Sequence, residues 1–212
     1  MSSAPMSGRK AQAARNDELI LQAARAVFTA EPGAPIAAVA EKAGVGISAL
    51  YRRYPSKEAL LQKLCGDGLR LYIEVSERSL AHEGDAWEAF AEYLRGIVDA
   101  DSSSLTIKLA GTFTPTEELG GLAARASALA IEVYDRAVAA GVLRPDVTPA
   151  DIALLFEQLA SIKLGDEERV AQLRHRYLTL MMDALRVPPA RRDLPGPEPR
   201  DEELAARWRP RG

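Results

Sequence analysis

Apolar residues recur three and four positions apart along most of this chain, and this spacing predicts an all-α protein. Gly, Pro and polar turns divide the pattern into separate amphipathic segments. The predicted helices span residues 13–30, 36–43, 47–54, 57–81, 85–100, 102–113, 117–140, 149–164 and 167–187. The first helix should bury a face made of Ile20, Ala23, Ala24, Val27 and Phe28. No segment shows the strict apolar–polar alternation of a half-buried strand, and no internal repeat is present.

The most informative stretch is 36–57, where two short helical patterns are joined by the turn Ala43-Gly44-Val45-Gly46. Gly44 follows the last apolar position of the first pattern and suits the left-handed conformation that closes many helices. Pro35 suits the first turn of that helix, and Pro55 ends the second helix at the residue before it. This arrangement indicates a helix-turn-helix, whose second helix enters the major groove of DNA.

The second of these helices has two chemically different faces. Leu50, Tyr51 and Tyr54 are expected to face inward. The outer side then carries Ile47, Ser48, Arg52 and Arg53, and the small residues Gly46, Ser48 and Ala49 would let its start approach a duplex closely. Arginines late in such a helix can reach phosphates or guanine edges. The alternative is an ordinary helical hairpin whose arginines are solvated.

The segment AEKAGVGISALYRRYPSKEALL resembles the TetR family of bacterial one-component repressors, and the resemblance covers about residues 15–64. It implies an all-helical homodimer with an N-terminal DNA-binding unit of three helices and a regulatory helical bundle behind it. The residues that match DNA-contact positions of the family are Gly46, Ile47, Ser48, Ala49, Tyr51, Arg52, Arg53, Tyr54 and Lys57. Two positions depart from the family pattern, because Pro35 stands where Thr is frequent and Gly46 where Ser often caps the third helix. The contacts of those two family residues are not carried over.

Lys57 supports the same interpretation independently. It stands in the first turn of the helix predicted at 57–81, for which Ser56 is a suitable N-cap. A lysine there opposes the helix dipole, although the cost is small. A phosphate at this helix start would be attracted by both the N–H groups and the ammonium. We therefore expect Lys57 to bind a DNA phosphate, with simple tolerance of the lysine as the alternative.

Charge is distributed unevenly along the chain. Residues 1–64 contain nine Lys/Arg and five Asp/Glu, whereas residues 65–212 contain eighteen and twenty-five. A basic head on an acidic body is typical of a DNA reader with a separate second function. The expected domains are a flexible arm at 1–12, a DNA-binding domain at 13–64 with its motif at about 36–55, a regulatory and dimerisation domain at 65–187, and a Pro-rich tail at 188–212.

The two ends of the chain allow two interpretations each. In the arm, Arg9 and Lys10 are candidates for contact with the DNA backbone or minor groove, and a solvated tail is the alternative. The C-terminal tail holds six of the thirteen prolines. Within it, residues 201–208 could form a short helix capped by Asp201, with Leu204 and Trp208 on one face. Disorder is the alternative for this segment.

The body is a candidate sensor of a small molecule, because pockets between bundle helices are apolar with a few polar anchors. The candidate lining residues are Trp87, Phe90, Tyr93, Thr106, Thr112, Phe113 and Tyr134. The alternative is that most of them belong to the hydrophobic core. The family resemblance implies an inducer-like ligand but leaves its identity open.

The last two predicted helices are candidates for a dimer interface, since both have wide apolar faces and little chain follows to cover them. A helix-turn-helix that reads a palindrome needs a two-fold partner, and two such helices from each copy would form a four-helix interface. The candidate residues are Ile152, Leu155, Phe156, Leu159, Tyr177, Leu180 and Met181. The alternative is that these helices close a monomeric core.

Other classes of function find little support. His82 and His175 lie far apart, without neighbours at metal-ligand spacing, and no Gly-rich phosphate loop follows a strand. We therefore expect no metal, no cofactor and no enzymatic activity. The single cysteine, Cys65, allows no disulfide within one chain, which suits the cytoplasm. No apolar run is long enough for a membrane span, and the N-terminal residues lack the apolar core of a secretory signal.

Together these observations predict a cytoplasmic, ligand-responsive homodimer that binds double-stranded DNA at a palindromic operator, most simply a repressor released by a small-molecule effector. Two other hypotheses stay open. One is a DNA-organising helix-turn-helix dimer without a small-molecule ligand. The other is a helical enzyme with a DNA-binding head, although no convergent set of titratable residues supports it.

Overall fold

Helices make up most of the structure, a computed structural model that describes residues 8–100, 109, 111–187 and 194–205. The side chains of residues 8–11, 201 and 205 lie outside that description. The helices are α1 (Gly8–Ala30), α2 (Ile36–Ala43), α3 (Ile47–Arg53), α4 (Lys57–Leu80), α5 (Ala86–Asp99), α6 (Glu117–Ala139), α7 (Pro149–Ala160), α8 (Glu167–Leu185) and α9 (Asp201–Ala205). The described ranges contain no strand, only an isolated antiparallel bridge between Leu143 and Arg186. The predicted all-α class is confirmed.

Helices α1, α2 and α3 pack around one apolar cluster, which we call the head cluster. The face predicted for α1 is buried at Ile20, Ala23, Ala24 and Phe28, with Val27 partly covered. Val39 of α2 and Leu50 of α3 meet it from the other side. Burying one such large apolar side chain contributes roughly 1.5–3 kcal/mol. This packing stabilises α3, because a helix of 7 residues is marginal by itself.

The head cluster extends past Leu64, where the sequence places the end of the DNA-binding domain. Leu60, Leu61 and Leu64 of α4 belong to it as expected. Its further members come from later in the chain and are Cys65, Leu109 and Leu119. The head therefore shares its core with the segment that leads into α6.

Helix α4 runs unbroken from the head into the rest of the molecule. At its start the Ser56 hydroxyl accepts a hydrogen bond from the Ala59 N–H at 3.0 Å, as its sequence position predicts. At its end the Arg136 guanidinium of α6 donates to the carbonyl oxygens of Leu80 at 2.7 Å and Ser79 at 3.3 Å. These carbonyls are ones that a helix end leaves without intrahelical partners. Both ends of α4 are thus fixed by side chains.

The second half of α4 packs with α5, α6, α7 and α8 around a second apolar cluster, which we call the body cluster. Its large members include Val75, Trp87, Phe90, Tyr93, Leu94, Ile97, Val133, Ile152, Phe156, Leu159, Leu178 and Met182. Helices α4 and α5 are close together at Gly96, where a Cβ atom would lie only 2.7 Å from Val75 Cγ1. The missing side chain at Gly96 therefore sets how closely the two helices pack.

Several helix ends differ from the sequence prediction. Helix α1 begins at Gly8 rather than at residue 13, because Arg, Lys, Ala and Gln at positions 9–12 are all good helix formers. Pro35 is the N-cap of α2, with ψ 151°, rather than its first helical residue. Helix α7 ends at Ala160 instead of residue 164, and the Ser161 hydroxyl donates to the Gln158 carbonyl oxygen at 2.6 Å at that end.

The helix predicted at 102–113 falls mostly on residues outside the described ranges. Leu109 is helical and buried. Gly111 has φ 73°, a left-handed value that ends regular helix before Phe113. In the tail, α9 covers the first part of the segment expected to be helical, and Trp208 lies outside the described residues. Among the residues that are described, no helix has the length and apolar character needed to cross a membrane.

The close contact at Gly96 makes a testable prediction. Gly96→Ala should destabilise the protein by about 1–3 kcal/mol, because the added methyl group meets a β-branched side chain that has little rotamer freedom in a helix. Gly120→Ala on α6 is the matched control, since its new Cβ would have no heavy atom within 4 Å. That change should raise stability by about 0.5–1 kcal/mol. Urea denaturation measures both, and a Gly96→Ala protein as stable as wild type would contradict the packing argument.

Candidate nucleic-acid interface

The turn between α2 and α3 has the geometry of a helix-turn-helix. Gly44 closes α2 with φ 65° and ψ 28°, as its sequence position predicts. The N–H groups of Gly44 and Val45 donate to the carbonyl oxygens of Glu41 and Ala40 at 3.1 and 3.0 Å. Gly46 is then the N-cap of α3, which starts in a new direction. Leu50 and Tyr54, one turn apart, are buried, so the opposite side of α3 faces outward.

That outer side carries most of the residues expected to contact DNA. Gly46, Ile47, Ser48, Tyr51 and Arg52 are exposed, and Ala49 is half-buried. Tyr51 is 47% exposed, so the expectation that it faces inward is wrong. It lies about 100° around the helix axis from Leu50, which takes the inward position instead. The apolar Ile47 and the hydroxyl of Ser48 suit base edges, and the guanidinium of Arg52 suits a phosphate.

Arg53 is held by a carboxylate of α1. Its Nε and Nη2 atoms donate to Oδ1 and Oδ2 of Asp17, each at 2.8 Å. The hydroxyl of Tyr54 donates to Oδ1 of the same carboxylate at 2.6 Å. The hydrogen bonds from Arg53 are the main cause that lowers the pKa of Asp17, against the effect of its burial. Burial and the bond to Asp17 raise the pKa of Tyr54, which stays a neutral donor.

The role of Asp17 has no signal in the local sequence. Asp17 stands 36 positions from Arg53, and nothing in the local pattern of α1 distinguishes it from a solvated acidic residue. Its side chain is only 19% exposed, although that of Arg53 is 58% exposed. The tertiary contact of α1 with the end of α3 therefore decides where Arg53 points.

Lys57 also has partners within the chain. Its Nζ atom donates to the carbonyl oxygens of Pro32 at 3.1 Å and Ala34 at 2.7 Å, in the loop between α1 and α2. The ammonium lies 5.1 Å from the centroid of the Phe28 ring, a cation–π distance. Lys57 thus fastens that loop to the start of α4. One of its three N–H donors remains for a phosphate.

The arm residues Arg9 and Lys10 lie at the start of α1, because the helix begins at Gly8. Their side chains are outside the described part of the structure, so contact between the arm and DNA remains a prediction.

Three of the expected ligand-binding residues come together on one face of α5. The rings of Trp87 and Phe90 lie 6.0 Å apart, and those of Phe90 and Tyr93 lie 6.1 Å apart. Phe156 of α7 meets Tyr93 edge-on at 6.3 Å. The hydroxyl of Tyr93 forms a hydrogen bond with the hydroxyl of Tyr72 on α4. Burial raises the pKa of Tyr93 well above its usual value.

The other expected ligand residues do not join this group. Phe113 packs against the head cluster, and Thr112 is exposed, with its hydroxyl donating to the Leu109 carbonyl oxygen at 2.8 Å. Tyr134 packs at the edge of the body cluster, and its hydroxyl donates to the Val147 carbonyl oxygen at 2.7 Å. Thr106 lies outside the described residues. The set therefore divides between two cores.

The expected interface residues divide in a similar way. Ile152, Phe156 and Leu159 are buried in the body cluster of their own chain. Leu155 and Met181 are partly buried against that cluster. Tyr177 and Leu180 of α8 are 48% and 56% exposed. Only the outward side of α8 is thus open to a second molecule among these residues.

The histidines have single carboxylate partners. His82 Nδ1 lies 3.2 Å from Glu92 Oε2, and His175 Nε2 lies 2.7 Å from Asp99 Oδ1. Within the part of the chain that the structure describes, no group of three or more His, Cys, Asp or Glu is arranged to hold a metal ion.

Comparison with known proteins gives a consistent result. The family described as bacterial regulatory proteins, tetR family, matches residues 20–64. A TetR transcription regulatory protein from Mycobacterium vanbaalenii is 30% identical, over 84% of this chain and 99% of its own, with a TM-score of 0.54. A TetR transcriptional regulator from Streptomyces coelicolor is 26% identical, over 82% of this chain and 99% of its own, with a TM-score of 0.55.

The fold is also shared by the TetR-like transcriptional regulator LfrR from Mycobacterium smegmatis, solved in complex with proflavine. It is 23% identical, over 78% of this chain and 95% of its own, with a TM-score of 0.57. No curated protein sequence matches the chain.

The Asp17 contact predicts a pH dependence of stability. Because the pKa of Asp17 in the folded state lies below its ordinary 3.8, the ionised carboxylate stabilises the fold above that value. This contribution disappears as the pH falls through the lower folded-state pKa. Asp17→Asn should therefore be less stable than wild type by about 1–2 kcal/mol at pH 7. The deficit should shrink below about pH 4. Urea denaturation of both proteins from pH 7 to pH 3 measures it, and a deficit that is constant with pH would exclude a role for the charge.

Proposed function

The chain belongs to the TetR family of bacterial regulatory proteins, and from this premise we propose that it is a homodimeric repressor that leaves a palindromic operator when a small molecule binds its body. In this proposal the protein has no catalytic role. Helix α3 of each protomer enters one half-site of the operator.

The observation that carries the proposal is the two-sided character of α3. Leu50 and Tyr54 attach the helix to the head cluster, while Ile47, Ser48 and Arg52 remain on the open side. A side chain with an apolar surface at the start of the helix suits a thymine methyl group, and a hydroxyl suits either base edge or phosphate. Arg52, at the end of the helix, suits the backbone beside the groove.

Arg52→Ala should weaken binding to every duplex by a similar factor, because a phosphate contact carries no sequence information. It should also lower the slope of log affinity against log salt by about 0.9 for each phosphate that the variant no longer neutralises. Arg78→Ala, which removes an exposed arginine of α4 from the body, is the matched control and should change neither quantity. Fluorescence anisotropy on a selected palindrome and on a scrambled duplex measures both. An Arg52→Ala protein with unchanged affinity and slope would place the DNA on another surface.

The dimer part of the proposal rests on the outward side of α8. Leu173, Tyr177, Leu180 and Ala184 follow one another at spacings of four, three and four residues, which aligns them on a single stripe. Tyr177, Leu180 and Ala184 are exposed, and Leu173 is half-buried. Two copies of this stripe related by a two-fold axis would cover each other and give the paired heads that a palindrome requires.

Leu180→Glu should convert the dimer into monomers at micromolar concentration, because it places a charge in the centre of the paired stripes. Ile131→Glu, the same change at an exposed apolar residue of α6, should leave the dimer intact. Sedimentation velocity separates the two species. A wild-type protein that sediments as a monomer would rule out the two-fold arrangement.

The sensing part of the proposal is supported by the aromatic group of Trp87, Phe90 and Tyr93, where the Tyr72 and Tyr93 hydroxyls are polar groups within an apolar core. The M. smegmatis neighbour, solved with proflavine, adds a fold-level analogy. The coupling would run through α4 and α6, which contribute apolar residues to both the head cluster and the body cluster. A coupling free energy of about 1–3 kcal/mol would suffice for regulation.

An effector that binds among these rings should change the emission of Trp87, which can be observed alone in a Trp208→Phe background. The same compound should weaken operator binding by roughly 5–150-fold. Tyr93→Phe should weaken the compound's binding, whereas Tyr51→Phe, at an exposed tyrosine of α3 outside the body cluster, should not. A compound that binds beside Trp87 without any change in operator affinity would favour the DNA-organising dimer instead.

A further inference from the structure

The carboxylate of Asp17 joins two elements that are far apart in the chain. It accepts hydrogen bonds from Arg53 Nε and Nη2 at 2.8 Å and from the Tyr54 hydroxyl at 2.6 Å. Arg53 is the last residue of α3, and Tyr54 is its C-cap. One side chain of α1 therefore fixes the C-terminal end of α3.

This contact changes the chemistry of Arg53. A guanidinium has five N–H donors in a rigid plane, and the two on its Nε–Nη2 edge are here directed at Asp17. A phosphate would have to displace the carboxylate to use the same edge. If Arg53 kept its partner, the negative charge of Asp17 would largely cancel the attraction of the guanidinium for a phosphate. Arg53 therefore differs from its neighbour Arg52, although the two are adjacent and both are exposed.

The Arg53 side chain is exposed, and an ion pair in contact with water contributes little by itself to holding the arginine in place. The Asp17 side is mostly buried, however, and the Tyr54 hydroxyl fixes the carboxylate in place from within the head cluster. The lowered pKa of Asp17 agrees with a carboxylate that is ionised and fully bound. The burial of Asp17 and its bond to Tyr54 thus make the contact more durable than a surface ion pair.

We propose that Asp17 is a positioning residue of the recognition helix, which anchors the end of α3 to α1 and withholds the charge of Arg53 from DNA. This inference rests on the proposed DNA-binding function. Each phosphate contact raises affinity for all sequences equally, so an arginine kept off the backbone lowers the affinity for operator and non-specific DNA by a similar factor. The ratio of operator affinity to non-specific affinity would then depend on the residues proposed to reach base edges, Ile47 and Ser48.

The test is the salt dependence of affinity for a scrambled duplex, because it reports how many phosphates the protein neutralises. Asp17→Asn should release Arg53 and steepen the slope of log affinity against log salt by about 0.9 per freed arginine. The affinities for a selected palindrome and for the scrambled duplex should both rise, by a similar factor, so their ratio should stay close to the wild-type value. Glu118→Gln makes the same change in net charge at a carboxylate bound to Arg70 and should leave the slope unchanged.

Two further variants isolate Arg53. The double variant Asp17→Asn with Arg53→Gln has the net charge of wild type, and its slope should return to the wild-type value. Arg53→Gln alone should also keep the wild-type slope, which makes the test independent of whether Asp17→Asn folds well. Tyr54→Phe removes one hydrogen bond from the carboxylate without freeing Arg53, so it should lower the melting temperature and leave the slope unchanged.

A shallower slope for Arg53→Gln would show that Arg53 contacts phosphate in the complex, and this would overturn the proposal. An unchanged slope for a folded Asp17→Asn protein would overturn it as well. These results differ from a failure of the proposed function, in which the wild-type protein would bind neither duplex and the role of Asp17 at DNA would fall with it.

Discussion

Helix α4 contributes apolar side chains to both hydrophobic clusters, and the arrangement of the whole molecule depends on this shared burial. Leu60, Leu61 and Leu64 lie in the head cluster, whereas Val75 lies in the body cluster. Each large side chain that leaves water contributes roughly 1.5–3 kcal/mol, more than any single surface interaction in the chain. A change in the body that shifts α4 must therefore also act on the packing of the head. This is the physical basis for regulation over a distance in the proposed function.

The polar contacts along α4 have a different role from the apolar ones. Arg70 pairs with Glu118 and Arg125 pairs with Glu77, both across to α6, and all four side chains are substantially exposed. Exposed pairs of this kind contribute at most about 1 kcal/mol each. These ion pairs favour one position of α6 along α4, but they add little to the stability of the contact between the two helices. The close contact at Gly96 likewise favours one position of α5 along α4, because the side chain of Val75 on α4 fits only where α5 lacks a side chain.

The helix proposed to read DNA, α3, is the shortest of the three helices in the head. Contacts with neighbouring elements provide the stability that so short a helix lacks by itself. At 7 residues it needs Leu50 in the core and a fixed C-terminal end to hold one orientation. The Asp17 carboxylate and the Tyr54 hydroxyl supply that fixed end. Lys57 does the same for the loop between α1 and α2. The charge of Arg53 is thereby paired within the fold, whereas Lys57 contacts only neutral carbonyl groups and keeps one N–H donor.

Local chemistry in the sequence determined the helices, the Gly44 turn, the Ser56 cap and the inward face of α1, because each depends on residues within a few positions of one another. The outward position of Ile47 and Ser48 also follows from helical spacing. The family followed from the same local motif, since its pattern lies within one continuous segment.

Only the tertiary structure decided which predicted site residues stand together. The partners of Arg53 and Lys57 lie 36 and 23–25 positions away, beyond any local pattern. Phe113 and Phe90 look alike in sequence, yet they pack in different clusters. Phe156 and Leu180 both lie on apolar helix faces, but one is buried in its own chain and the other is exposed. Periodicity identifies an apolar face, whereas the surface that covers that face is set by how the helices pack in three dimensions.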